Sequence, residues 1–226
     1  MTDNMVFRKL SYGLFVLTTK EKDFDNGCII NTAVQISDSP KLISIAVNKE
    51  NKTNEMIKTS GRFCLSVIDE SAEFGLFRRF GFASGRNVNK FENFEDYKKT
   101  ESGLNYITKG TNAYIDCETI WSVDAATHTV FFAKVIGGEI LSDRASATYA
   151  YYFDKIKPNG PVIAEAQETK EEKPAEEPKK QENGKRKIKG YVCRICGYFY
   201  EGETLPQDFV CPWCKHGAED FDPVYY

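Results

Sequence analysis

Short runs of β-branched and aromatic residues, divided by turn residues, dominate the first 160 or so positions. SYGLFVLTT (11–19), GCIINTAVQIS (27–37), KLISIAVN (41–48), RFCLSVID (62–69), AYIDCETIWSV (113–123) and HTVFFAKVIGGEI (128–140) each predict a strand. Two stretches carry helical spacing instead. NKTNEMIKTSG (51–61) opens on cap-type residues and stops at Gly61, and SAEFGLFRRFG (71–81) runs from Ser71 as N-cap to Gly81. Many strands and few helices predict a mainly β domain, a barrel rather than a parallel α/β sheet.

The pattern breaks after residue 163. Residues 164–187, AEAQETKEEKPAEEPKKQENGKRK, hold seven acids, seven bases, two prolines and nothing apolar larger than alanine, so they cannot form a core. A flexible chain of that length would separate its ends by roughly 25–30 Å on average. Three parts are therefore expected: a β domain at 1–163, a charged flexible linker at 164–187, and a small domain at 188–226.

Charge and composition narrow the partners. The net charge is −3, the pI is 5.6 and no long basic stripe occurs, which argues against nucleic acid. MTDNMVFRKL lacks the apolar run of a signal peptide, and no stretch approaches the roughly 20 apolar residues of a membrane span. The expectation is a soluble, cytoplasmic protein with no membrane partner. Neither G-x-G-x-x-G nor a Walker-type loop is present, which argues against a Rossmann or P-loop nucleotide site.

Of seven cysteines, four form two Cys-x-x-Cys pairs, Cys193/Cys196 and Cys211/Cys214. Two such turns facing each other make a tetrahedral four-thiolate cage that suits iron or zinc. An odd count with paired knuckles points to metal ligation in a reducing compartment rather than to a disulfide framework. Cys28, Cys64 and Cys117 lie in apolar runs and are expected to be buried small hydrophobes. Tyr191, Tyr198, Phe199, Tyr200, Phe209, Trp213 and Phe221 crowd around the knuckles. A domain this small needs both metal and aromatic core to fold, and a shell that excludes water suits a redox iron. A structural zinc ribbon would offer the same ligands.

The stretch YVCRICGYFYEG…CPWC resembles rubredoxin, the one-iron electron-carrier family, in the shortened form attached to rubrerythrins, because 14 residues separate Cys196 from Cys211. Gly197 follows the first pair as in that family, whereas Lys215 stands at the usual second glycine position. Four-cysteine iron changes charge by one electron while a reduced nicotinamide gives up two as hydride, so a flavin is expected between them. Residues 26–68 resemble the flavin reductase-like family, which binds FMN in a split β-barrel, and the likeness runs through most of 1–163. The two-part fusion resembles the group called high-molecular-weight rubredoxins.

That resemblance implies a set of site residues. Asn31, Thr32, Ala33 and Gln35 would line the flavin ring and ribityl chain, and Asn48, Lys49, Lys52 and Thr53 would approach the phosphate. Thr53 falls near a helix start, whose N–H groups and dipole favour an anion. SGRNVNKF (84–91) is similar to a family segment ending in acid–lysine–phenylalanine, with Asn89 in place of the acid. Arg86 and Lys90 there are contacts to FMN or the nicotinamide nucleotide, or else a basic surface loop. His128 matches the histidine of a Gly-Asp-His strand start, preceded here by Ala126 and Thr127, and would lie beside the flavin. No catalytic base is implied, since the hydride acceptor is FMN. Tyr149, Tyr151 and Tyr152 match an aromatic run of the subfamily and are expected mostly in the core or an interface, with one near the flavin.

The implied protein is an NAD(P)H:rubredoxin/FMN oxidoreductase, a homodimer with FMN and one iron as cofactors. It would oxidise NAD(P)H at FMN and pass single electrons to the four-cysteine iron. From there they would reach a flavodiiron- or rubrerythrin-type reductase of oxygen or nitric oxide. Two other readings use the same residues. One is a flavin reductase supplying reduced FMN to a partner, with the knuckles as a docking or structural zinc module. The other is a passive carrier fed by ferredoxin.

Overall fold

The computed structural model describes residues 4–157, 188–193, 198–211 and 217–225. They belong to two units, one within residues 1–157 and one within 158–226. The stretch expected as a linker, 164–187, lies outside the described residues.

In the first unit the strands are β1 (Phe15–Glu21), β2 (Phe24–Ile30), β3 (Val34–Asp38), β4 (Lys41–Asn48), β5 (Arg62–Ile68), β6 (Tyr97–Lys99), β7 (Asn105–Ile107), β8 (Thr111–Ala125) and β9 (His128–Ile140). Seven of them form one sheet in the order β2-β1-β5-β8-β9-β4-β3, antiparallel throughout, while β6 and β7 make a separate hairpin. The two edge strands, β2 and β3, are consecutive in the chain and joined only by residues 31–33. Four Cα steps reach about 14 Å. Six inter-strand spacings of about 4.8 Å would put the edges of a flat sheet about 29 Å apart. The sheet must therefore curl until its edges meet, which makes a barrel. GCIINTAVQIS, expected as one strand, is for this reason two strands that turn the corner at Asn31–Ala33.

Burial follows that closure. On β4, Ile43, Ile45 and Val47 alternate inward and meet Leu17, Phe63, Leu65 and Phe131 in the barrel interior. β1 is buried on both faces. Leu17 enters the interior, whereas Val16 packs outward under Ile68, Phe77, Phe80 and Tyr152. That second layer is made by α2 (Phe74–Phe77), α3 (Tyr149–Tyr151) and the π-type turns that continue them, Arg78–Phe82 and Tyr152–Ile156. Tyr152 is core, while Tyr149 and Tyr151 are half-buried in the same layer. Cys28, Cys64 and Cys117 are all buried, as expected.

Helix α1 (Lys52–Ser60) ends as the sequence predicts. Gly61 adopts φ +68°, and its N–H closes on the Ile57 carbonyl at 2.8 Å. The second helix starts later than expected. Glu73 precedes it, and the Ser71 hydroxyl donates to Asp69 Oδ1 at 2.6 Å rather than capping the helix. The side chain had a nearer acceptor.

The second unit holds a three-stranded sheet, β11-β10-β12, of β10 (Ile188–Cys193), β11 (Phe199–Glu201) and β12 (Phe221–Tyr225). Phe209 packs against Tyr200 and Phe221, with ring centroids 4.7 and 5.3 Å apart. Gly190 lets β11 approach, since a Cβ there would fall 2.4 Å from the Tyr200 carbonyl oxygen.

Candidate flavin and metal sites

Six of the expected flavin residues gather at one end of the barrel. Asn48 ends β4 and faces His128, the first residue of β9, in the ladder. Asn48 Oδ1 accepts from the Glu50 N–H at 2.9 Å and the Lys49 N–H donates to the Thr127 carbonyl at 3.0 Å, which ties the start of α1 to the β8–β9 turn. Lys49 is ion-paired with Asp124 on β8. His128 Nδ1 lies 2.9 Å from the Thr127 hydroxyl. The first residues of α1, Lys52 and Thr53, stand where a helix supplies no acceptor for its own N–H groups. Glu55, one turn in, pairs with both Lys52, at 3.4 Å, and Arg86. The Arg86 hydrogen bond, aided by Lys52, holds the Glu55 carboxyl below its ordinary range. Lys52 and Arg86 flank the Glu55 carboxylate at a helix N-terminus, where cations and free N–H groups favour an anion. The residues present fit a phosphate.

The remaining expected residues separate from that corner. Asn31, Thr32 and Ala33 lie at the β2–β3 crossing, where Thr32 Oγ1 donates to the Ala46 carbonyl at 2.8 Å and accepts from the Ala46 N–H at 3.2 Å. The Thr32 hydroxyl is thus engaged in closing the barrel. Gln35 pairs with Ile43, five residues along β4 from Asn48, or about 17 Å at strand rise. It lines an open cleft of about 670 Å³ together with Ile43, Tyr114, Ile136, Gly137 and Gly138.

Lys90 departs most from expectation. It is only 4% exposed, and its ammonium donates to the carbonyls of Gly27, at 2.8 Å, and Phe80, at 2.9 Å. It lies neither in a basic surface loop nor among the exposed cations of the corner. Burial lowers its pKa to about 8, partly offset by attraction to the Cys28 sulfur, while burial pushes the Cys28 thiol up.

Three residues of this corner carry no signal in the sequence. Asn26 donates to Thr53 Oγ1 at 3.2 Å, and its own Oδ1 is buried without a partner. Gly85 passes so close that a Cβ there would fall 2.4 Å from that oxygen. Glu55 reads as an ordinary helical acid. Asn26-Gly27 has the composition of a hairpin turn, yet it sits inside β2.

In the second unit, Cys193 closes β10 and its N–H donates to the Tyr198 carbonyl at 2.8 Å, just before β11. Cys193 and Cys211 are both fully buried. Cys196 and Cys214 lie outside the described residues, as do Gly197 and Lys215. Among the described hydrophobic residues of this unit only Val192, Cys193, Cys211 and Phe221 are buried. Two of these four described residues are thiols, which fits sulfur–metal bonds holding the unit together.

Comparison with known proteins agrees with both halves. Residues 7–160 match the flavin reductase like domain, and residues 191–222 match the rubrerythrin, rubredoxin-like domain. The first domain type implies a flavin and the second a single iron. A high molecular weight rubredoxin of Moorella thermoacetica is 32% identical, over 98% of this chain and 100% of that one. A ferric-chelate reductase (NAD(P)H) of Archaeoglobus fulgidus is 34% identical, over 66% of this chain and 88% of its own. Among solved structures, the NADH:FAD oxidoreductase SgcE6 of Streptomyces globisporus shares the fold at a TM-score of 0.59, with 23% identity over 66% of this chain and 91% of that one. The chain belongs to the flavin reductase-like family, in the arrangement that carries a rubredoxin-like domain after the barrel.

Proposed function

We propose that the protein oxidises NAD(P)H in its barrel unit and delivers the electrons singly, through the four-cysteine iron, to an outside redox protein of flavodiiron or rubrerythrin type. One observation carries this reading: a single chain joins a flavin reductase-like barrel to a rubredoxin-like unit with paired Cys-x-x-Cys turns, and a relative matches it along its full length. A bound flavin supplies the missing chemistry, because it accepts a hydride and releases electrons one at a time. Lys52, Arg86 and the first N–H groups of α1 hold its phosphate. The backbone of Asn31–Ala33 borders the ring, and His128 and Asn48 close the same end of the barrel. Cys193, Cys196, Cys211 and Cys214 hold the iron in thiolate ligation, with the aromatic shell of Tyr200, Phe209 and Phe221 excluding water from it. The name of the Archaeoglobus relative supports NAD(P)H as donor.

A second copy of the chain is the proposed cover for an apolar face of the barrel. Trp121 and Val123, two apart on β8 and so on the same face, are 47% and 51% exposed, and Trp121 stacks on Phe132 of β9 with ring centroids 4.7 Å apart. Apolar patches of this kind mark association surfaces.

Anaerobic stopped-flow mixing of the purified protein with NADH, following the flavin and iron absorbance separately, tests the electron path. Flavin absorbance is expected to bleach first and the ferric-thiolate band to follow without added mediator. An iron band that persists while the flavin stays reduced refutes the path. Failure of the flavin to bleach refutes the nicotinamide donor.

A further inference from the structure

The segment 84–91 carries Arg86 to the first turn of α1, and something must hold it there. Its own contacts with α1 are exposed: Arg86 and Glu55 are each nearly half accessible, and an exposed ion pair contributes little. Beneath the segment the situation is different. Arg79 Nη1 donates to the carbonyls of Lys90, at 3.0 Å, and Glu92, at 3.1 Å, and its guanidinium lies 5.0 Å over the Phe94 ring. Lys90 in turn sends its ammonium inward to Gly27 on β2 and to Phe80 at the π-type turn. Charge-assisted bonds are about twice as strong as neutral ones, and those of Lys90 are buried away from water. Gly85, between Ser84 and Arg86, lies against Asn26 with no room for a side chain.

We infer that Lys90 is a positioning residue: its buried ammonium ties segment 84–91 to β2 and to the Arg78–Phe82 turn, and thereby fixes Arg86 at the start of α1 before any ligand arrives. The inference rests on the reading of that corner as a phosphate site. Lys90 itself never reaches the ligand. Its effect is confined to the phosphate end, because Asn31–Ala33 and His128 are held by other contacts, through Ala46 on β4 and through the β4–β9 ladder. A pre-placed cation binds more tightly than one that must be ordered on binding.

The test compares FMN with riboflavin, which lacks only the phosphate, by flavin fluorescence titration of the full chain. The wild type is expected to bind FMN more tightly. Arg86→Met should reduce that preference about tenfold, the scale of one hydrogen bond to a charged group. Lys90→Met should reduce it by a similar factor while leaving riboflavin affinity within about twofold of wild type. The double variant should lose no more than either single one, and Lys90→Arg, which keeps a charged donor, should restore most of the preference. Equal loss of FMN and riboflavin in Lys90→Met, or an unchanged preference, overturns the positioning role. A wild type that binds both flavins equally, with Arg86→Met without effect, overturns the phosphate reading instead. Should Lys90→Met not fold, Lys90→Gln, which keeps N–H donors without charge, is judged by the same two ratios.

Discussion

Removing one hydroxyl at the barrel's seam is expected to weaken the whole first unit. Thr32 Oγ1 donates to the Ala46 carbonyl and accepts from the Ala46 N–H, so it stands in for a strand partner just before β3 begins pairing at Val34–Ser44. Thr32→Val keeps the shape and the β-branched backbone preference and deletes only the two hydrogen bonds. Each intramolecular hydrogen bond is worth about 1 kcal/mol net, and an orphaned buried partner costs about 1–3 kcal/mol. Because Thr32 is half-buried, water recovers part of the loss. The expected destabilisation is therefore about 2 kcal/mol, or about 4–8 °C in Tm for a unit of this size. Urea unfolding of the full chain by far-ultraviolet circular dichroism measures it. Thr32→Ser, which retains the hydroxyl, should stay within about 1 kcal/mol of wild type. Thr32→Val within about 0.5 kcal/mol of wild type, or Thr32→Ser as damaging as Thr32→Val, would show that this bond pair does not close the barrel.

Four further expectations concern separate parts of the molecule. Cys211→Ser should eliminate bound iron, measured by metal analysis, and leave flavin loading unchanged; joint loss of both would contradict two independent sites. Ala126, at φ +53° in the β8–β9 turn, occupies backbone space suited to glycine, so Ala126→Gly should stabilise by roughly 0.5–1 kcal/mol in the same urea assay, and destabilisation would refute the strain. The unfolded chain keeps the Lys90 proton until about 10.5 while the folded one releases it near 8, so stability relative to Lys90→Met should climb between those values and fall as pH drops through 8. The climb is on the order of 3 kcal/mol at most, since the two carbonyl bonds favour the ammonium, and a flat difference profile would contradict the burial cause. Trp121→Lys should shift the protein toward monomer in light scattering if a second copy covers β8 and β9, and an unchanged mass would remove that face from the interface.

What could be foreseen was what short stretches of chain determine for themselves. The Cys-x-x-Cys spacing points to the rubredoxin-like domain without any fold, because each pair lies within four residues. Gly61 announces the end of α1 because only the local backbone decides whether a left-handed residue is needed there. KLISIAVN announces a strand by its β-branched residues, and β4 covers the same Lys41–Asn48. The proposed phosphate corner rests on likeness, as a set of residue types near a helix start.

The rest depended on closure of the sheet, which couples positions far apart in the chain. Residues 27–37 keep a strand-like composition throughout, and only the need to bring the two sheet edges together places a corner at Asn31–Ala33. Lys90 has the composition of a surface cation, and its burial follows from Gly27 and Phe80 presenting carbonyls under the same segment. Asn26, Glu55 and Gly85 come together through contacts spanning 27 residues or more, such as those of Asn26 with Thr53 and of Arg86 with Glu55. Local sequence specifies backbone preference and ligand chemistry because those energies act between neighbours. Which polar group is hidden, and which cation is left to meet an anion, is settled by distances that exist only after the barrel has closed.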